Sequence, residues 1–129
     1  MELPKDLLYS RTHEWVRLSG NEATVGITSF AQEQLGDIVF VELPGAGKQV
    51  GKGEQLGNIE SVKAVSELFA PVAGEVLAAN DALQDHPELV NQDPFGEGWL
   101  VRLKVAPRAA EGLLDAAGYE KFVAEEGGH

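Results

Sequence analysis

The stretch Gln55-Leu-Gly-Asn-Ile-Glu-Ser-Val-Lys-Ala-Val-Ser-Glu-Leu-Phe-Ala-Pro71 constrains this chain more than any other. Two strand-like segments, roughly 55–61 and 64–70, meet at Val62-Lys63 near the middle of the sequence. Alternation runs through both: Leu56 and Asn58 against Gly57 and Ile59, then Val65 and Glu67 against Ser66 and Leu68. That is the period of a half-buried strand. The junction lacks the Asn-Gly or Asp-Gly pair that favours a tight hairpin. Val62 is β-branched and Lys63 has no backbone advantage at a turn, so turn chemistry alone does not choose this hairpin. A lysine at such a tip is a reachable amine on a rigid mount. It is equally a solvated charge at an exposed bend, and the rest of the chain must decide between the two.

Fifteen glycines and six prolines in 129 residues divide the chain into many short elements, which favours a β-rich fold over a long helical bundle. The length suits one domain, with a β core over about 7–105 and a helical extension over about 107–125. Ten basic against 21 acidic residues, a formal charge of -11, supply no basic stripe for phosphate, so no nucleic-acid partner is expected. No run of about 20 apolar residues is present to span a membrane. The start, Met-Glu-Leu-Pro-Lys-Asp-Leu, has no apolar signal core, and the chain has no cysteine. Both features fit a cytoplasmic protein. Without cysteine, any redox or acyl-carrying sulfur has to arrive on an attached group.

In chain order, Leu7-Leu8-Tyr9 reads as a short strand, and 13–27 as a hairpin turning at Ser19-Gly-Asn21. Within it, Val16 and Leu18 share one side, and Trp15 and Arg17 the other. A brief helix over 30–35 follows, capped by Thr28 or Ser29, with Ser29 and Gln32 at capping-box spacing and Phe30 and Leu35 as anchors. Ile38–Leu43 is a strand stopped by Pro44-Gly45, and 45–53 a turn-rich connection without a phosphate-loop motif. Glu75–Ala79 is a strand, 80–83 a helical turn, and 85–91 a polar loop. Trp99–Val105 is a strand with Trp99, Val101, Leu103 and Val105 on one side. Pro107 opens a helix over 108–117, interrupted by Gly118, with a last turn or two from Tyr119 to Glu125 and a frayed Glu126-Gly-Gly-His129 tail. Gly36-Asp37-Ile38 and Gly74-Glu75-Val76 form a weak internal echo on either side of the central hairpin, a hint of two related β halves.

Little in the chain resembles catalytic machinery. His13, His86 and His129 form no close-spaced metal-ligand pattern. His13-Glu14 reads first as a hydrogen-bonded edge histidine beside an acid. Ser61 and Lys63 alone make no nucleophile pair.

Taken together and in order, His13-Glu-Trp-Val16, Val25-Gly-Ile-Thr28, Leu35-Gly-Asp37, Val41-Glu-Leu-Pro44, Glu60-Ser-Val-Lys-Ala64, Pro71-Val-Ala-Gly-Glu-Val76 and Gly98-Trp-Leu100 closely resemble the H proteins of the glycine cleavage system. The resemblance covers essentially the whole chain. It implies a mainly β, hybrid barrel-sandwich lipoyl-domain fold with short helices and a C-terminal helical extension. It also implies a non-catalytic carrier with lipoic acid attached to Lys63 as lipoamide, whose dithiolane takes the aminomethyl unit left when glycine loses carbon dioxide. The implied partners are a pyridoxal-phosphate glycine decarboxylase, a tetrahydrofolate-dependent aminomethyltransferase, dihydrolipoamide dehydrogenase and a lipoate-attaching enzyme. The carrier itself is expected to be monomeric when isolated.

By the same resemblance, Glu60, Ser61, Val62 and Ala64 frame the lysine for attachment, with a buried anchor as the other reading of Val62. Thr12, Glu14 and Glu67, with His13 nearby, match a cleft for the loaded arm. Family members often have serine and aspartate where this chain has Thr12 and Glu67. Gly36, Gly74 and Gly98 are read as permitting sharp turns. Trp15 and Trp99 are expected to pack the β core, Trp99 also supporting the loop near the arm. A carrier for another lipoate-dependent pathway or for lipoate transfer, and an unmodified binding module using the Lys63 hairpin, are the alternatives. Val62-Lys63-Ala64 differs from the Met-Lys-Met of biotin carriers.

Overall fold

The computed structural model describes residues 3–127; the tail expected to fray from Glu126 is helical through Gly127, and its last two residues lie outside the described residues. The chain forms β1 (Leu8–Tyr9), β2 (Glu14–Ser19), β3 (Glu22–Ile27), α1 (Ser29–Leu35), β4 (Ile38–Glu42), β5 (Gln49–Val50), β6 (Gln55–Ser61), β7 (Val65–Phe69), β8 (Gly74–Ala79), α2 (Ala82–Asp85), α3 (Leu89–Gln92), β9 (Val101–Lys104) and α4 (Ala116–Gly127). Six strands make one sheet in the order β1-β2-β3-β9-β8-β5, and β4-β6-β7 make the other. All the pairings are antiparallel. Both sheets contribute to one buried cluster, with Val25, Val76 and Leu103 from the larger sheet and Val41, Ile59 and Leu68 from the smaller. The result is the mainly β barrel-sandwich expected from the sequence.

Local chemistry accounts for most element ends. Ser19 pairs with Glu22 across Gly20-Asn21, and Gly20 at φ 61° occupies the first central position as in a type II′ turn. Thr28 caps α1 by accepting a hydrogen bond from the Ala31 amide at 3.2 Å. Of the two expected caps, then, Thr28 acts, and the Ser29/Gln32 box is not used. Gly36 ends the helix at φ 80°, where glycine has no Cβ penalty.

The structure departs from the sequence pattern in four places. A register shift between Gln55 and Gly57 lets both Leu56 and Ile59 turn into the core, because a bulge resets the period of a strand. The turn-rich connection contains β5, a pair of residues held against β8. The segment read as a polar loop over 85–91 contains the start of α3, whose Val90 is fully buried. In β2, Trp15 and Val16 are both buried, since Val16 faces the inter-sheet core and Trp15 a second cluster.

That second cluster corrects two further expectations. Trp15 lies with Leu7, Tyr9, Tyr119 and Val123, with Trp99 packed at its margin, so neither tryptophan packs the main β core. The helix expected over 108–117 is a series of turns. Gly112 at φ 89° breaks it, and Asp115 caps a new helix by accepting from the Gly118 amide at 2.7 Å. Gly118 therefore lies in the first turn of α4 and does not interrupt a helix. The helical segment is held by Tyr119, which stacks on Tyr9 at 4.9 Å between ring centroids.

Candidate functional site at the central hairpin

β6 and β7 meet in the expected two-residue tip, and side chains and backbone outside the tip shape it. The Ser61 amide donates to the Ala64 carbonyl at 2.8 Å. The Ser61 hydroxyl accepts from the Lys63 and Ala64 amides at 3.3 and 3.1 Å. Among the described non-glycine residues only His13 has positive φ, so Val62-Lys63 is not the type I′ turn that Asn-Gly would build. Ser61 closes the turn in place of a turn-forming pair.

The tip is also tied to the start of the neighbouring strand, where Ile38 of β4 pairs with Ser61. The Val62 amide donates to the Asp37 carbonyl at 3.1 Å. Asn91, on α3, holds the segment around Asp37: its Nδ2 donates to the Gly36 carbonyl at 2.7 Å and its Oδ1 accepts from the Ile38 amide at 2.8 Å. Sequence reading missed Asn91 because the surrounding residues are polar and Pro87 suggests a loop. Replacing Asn91 by alanine is expected to cost about 1–2 kcal/mol, the worth of two hydrogen bonds to partly buried backbone. It should also speed exchange of the Val62 amide, which hydrogen-exchange NMR would detect; unchanged exchange would separate Asn91 from the tip.

Lys63 is exposed, and among the described residues it makes no ion pair. Its aliphatic stem crosses Gly36, where an added Cβ would stand 3.4 Å from Cε and 3.9 Å from Nζ. The amine is thus unpaired on a backbone that is pinned from three sides, which suits acylation by a carboxylic acid. Val62 is 70% exposed, so it is no buried anchor. Glu60 and Ala64 are exposed as well, while Ser61 is buried. Of the three glycines, only Gly36 has positive φ. Gly74 and Gly98 serve close approach, since a Cβ would strike the Lys104 carbonyl at the first and the Leu89 carbonyl at the second.

The four expected cleft residues do not come together as a set. Glu14 is only 2% exposed. Its Oε1 accepts from the Ser10 hydroxyl at 2.6 Å and from the Thr12 hydroxyl, and its Oε2 from the Phe69 amide of β7 at 3.4 Å. Burial pushes its pKa up to about 7 against these hydrogen bonds, which favour the charged form. Ser10 was not anticipated, although Ser10-x-Thr12-x-Glu14 places the three at strand spacing. His13 turns away at φ 71°. Its Nδ1 shares a 2.8 Å hydrogen bond with the Tyr119 hydroxyl, and its Nε2 lies 3.4 Å from Glu126. It is an edge histidine that fastens α4. Glu67 is exposed on β7 opposite Asn58 and shares no hydrogen bond with Glu14 among the described residues. A cavity of about 190 Å³ opens beside Thr12, lined by Ser10, Arg11, Lys52, Ala70 and Leu113 among others. Among the described residues no group of three or more His, Cys, Asp or Glu could hold a metal ion, and no helix is long and apolar enough to cross a membrane.

A β sandwich that presents one unpaired lysine on a pinned hairpin has the architecture of a lipoyl-type carrier module. Residues 7–126 match the family model described as glycine cleavage H-protein. The chain is 58% identical over 126 residues to the glycine cleavage system H protein of Nitratidesulfovibrio vulgaris, covering 98% of each. It is 54% identical over 127 residues to that of Anaeromyxobacter sp., covering 98% of this chain and 99% of the relative. A crystal structure of a glycine cleavage system H protein from Mycobacterium marinum superposes with a TM-score of 0.85 at 39% identity, covering 97% of this chain and 99% of that one. The chain belongs to the glycine cleavage H-protein family. It is accordingly a non-catalytic component of a multi-enzyme system, a shuttle that bears covalently attached lipoate and works with the other components of that system.

Proposed function

We propose that Lys63 is the lipoylated residue and that the pinned hairpin presents the arm to each enzyme in turn. The exposed, unpaired amine at a tip fixed by Ser61, Asp37 and Asn91 carries this reading. Bound lipoamide would supply the sulfur and two-electron chemistry that a chain without cysteine lacks. The protein supplies placement. A tether raises the local concentration of its head at a docked enzyme, and a rigid base limits the volume searched. Glu60, Ser61, Val62 and Ala64 frame the amine for attachment. Ser61 does so by shaping the turn.

The enzymes served are a pyridoxal-phosphate glycine decarboxylase, a tetrahydrofolate-dependent aminomethyltransferase and dihydrolipoamide dehydrogenase, with a lipoate-attaching enzyme upstream; the setting is the cytoplasm. Near the cavity beside Thr12, the Glu14 carboxyl is the group suited to meet an ammonium carried on the arm. A cation arriving there would draw the carboxyl back to its charged form and gain a charge-assisted hydrogen bond. Glu67 is the weaker member of that cleft, since it stands exposed and apart.

Glycine-dependent exchange of carbon dioxide, assayed with purified decarboxylase, tests the pathway. Exchange should require the lipoylated form of this chain and be absent with the unmodified form. Activity only in a 2-oxoacid decarboxylating system would favour the alternative carrier role.

A further inference from the structure

The three-stranded sheet has an outer face, and near the Lys63 tip that face is apolar. Phe40, Glu60 and Val65 lie directly opposite one another across β4, β6 and β7. Directly paired residues share a face, with side chains about 5 Å apart. Phe40 is 45% exposed and Val65 66% exposed, and Val62 adjoins them at the tip. The register shift between Ile38 and Phe40 extends the patch. Strict alternation would bury one of Val39 and Phe40, yet both are exposed while Ile38 and Val41 remain in the core. Bulges of this kind re-aim side chains. Of the six large hydrophobic residues exposed among the described residues, four (Val39, Phe40, Val62 and Val65) are gathered at this end of one sheet. Clustered exposure forgoes hydrophobic stabilisation with nothing gained inside the chain, which is the mark of a binding surface.

We propose that this patch is the docking surface for the enzyme that acylates Lys63, a reading that rests on Lys63 being the lipoylated residue. Reach selects this occupant. In the acylation, neutral Nζ attacks an activated lipoyl carboxyl and a C–N bond forms. The leaving group departs with its electron pair, and the nitrogen sheds a proton. That bond forms at Nζ itself, so the enzyme must close over the tip and cover the side chains beside it. Enzymes acting on the sulfurs meet the far end of the arm and have no need to touch β4. Charge specifies the partner's face further. Glu60 stands between two apolar side chains on a chain of net charge -11, so covering it requires a cation from the partner. The complementary surface is an apolar recess that presents a basic group.

Steady-state lipoylation of the unmodified full-length chain by a lipoate-attaching enzyme provides the test, with thermal midpoints confirming the fold of each variant. Threonine suits an exposed strand position, so Phe40→Thr and Val65→Thr keep the backbone while removing apolar contact. Each should lower kcat/KM for lipoylation by about tenfold, mostly through KM, as the loss of a contact at an interface anchor does. Leu18→Thr, at a comparably exposed apolar position on β2, should leave it unchanged. Unchanged kcat/KM in both patch variants would overturn the proposal, as would an equal fall in Leu18→Thr. Normal acylation with impaired glycine-dependent exchange would also overturn it, since the occupant would then be a relay enzyme. Failure of the unsubstituted chain to be acylated at Lys63 would instead overturn the underlying carrier reading.

Discussion

Substituting arginine for Lys63 is expected to leave the fold intact and reduce glycine-dependent exchange to the level seen without any carrier. The side chain is exposed and its contact with Gly36 is a glancing one. Surface substitutions of this kind stay within about 0.5 kcal/mol, or roughly 2 °C in thermal midpoint for a chain of this size. The turn bonds at the tip come from the backbone, Ser61 and Asp37, so they survive the change. Acylation does not, because a guanidinium stays protonated at neutral pH and offers no free amine. A chain that folds normally yet cannot relay would locate the function in one nitrogen atom. A Lys63→Arg protein that sustained exchange would show that the arm is mounted elsewhere.

The second large effect concerns Glu14 and pH. Its carboxyl titrates near 7 in the folded chain against an ordinary 4.5, because burial disfavours the charge. Between those values the folded state holds a proton that the unfolded state has released. Stability should therefore fall as pH rises from about 4.5 to about 7 and level off above, by on the order of 3 kcal/mol for this group. Other acids and histidines add their own slopes, so the comparison is with Glu14→Gln. Glutamine at 14 keeps an acceptor for Ser10 and Thr12 but sets an amide against the Phe69 N–H, a cost that does not vary with pH. Urea unfolding from pH 4.5 to 8 should show the unsubstituted chain losing stability relative to Glu14→Gln through that window. Parallel curves would mean that Glu14 is already ionised in the folded protein at acid pH.

Whether residues could be read from the sequence depended on how local their physics is. The hairpins at 13–27 and around Val62-Lys63 follow from period-two patterns between turn residues, and the structure keeps them. The strand expected over Trp99–Val105 keeps Val101, Leu103 and Val105 in the core but starts at Val101, with Trp99 turned to the second cluster. Leu56 and Phe40 escaped alternation because a bulge resets the register, and a bulge depends on the partner strand. The last helix was misplaced because Ala110, Leu113, Leu114 and Ala117 have helical spacing, whereas Gly112 and the Asp115 cap set the true boundary. Lys63 was singled out through the motif around it. Asn91 and Ser10 were not, because their roles depend on backbone from segments distant in sequence, Gly36 and Ile38 for the first, or on a carboxyl whose burial only the packed sheets create. Glu67 matched a family position without meeting the other members of its group.

The central claim is that one amine among six lysines is the mount for the carrier's chemistry. Intact-mass measurement and peptide mapping of protein made with active lipoate-attaching machinery test it most directly. One lipoyl addition should be found on the peptide that contains Lys63, and none on the Lys63→Arg protein. An unmodified Lys63, or a lipoyl group on Lys5, Lys48, Lys52, Lys104 or Lys121, would contradict it.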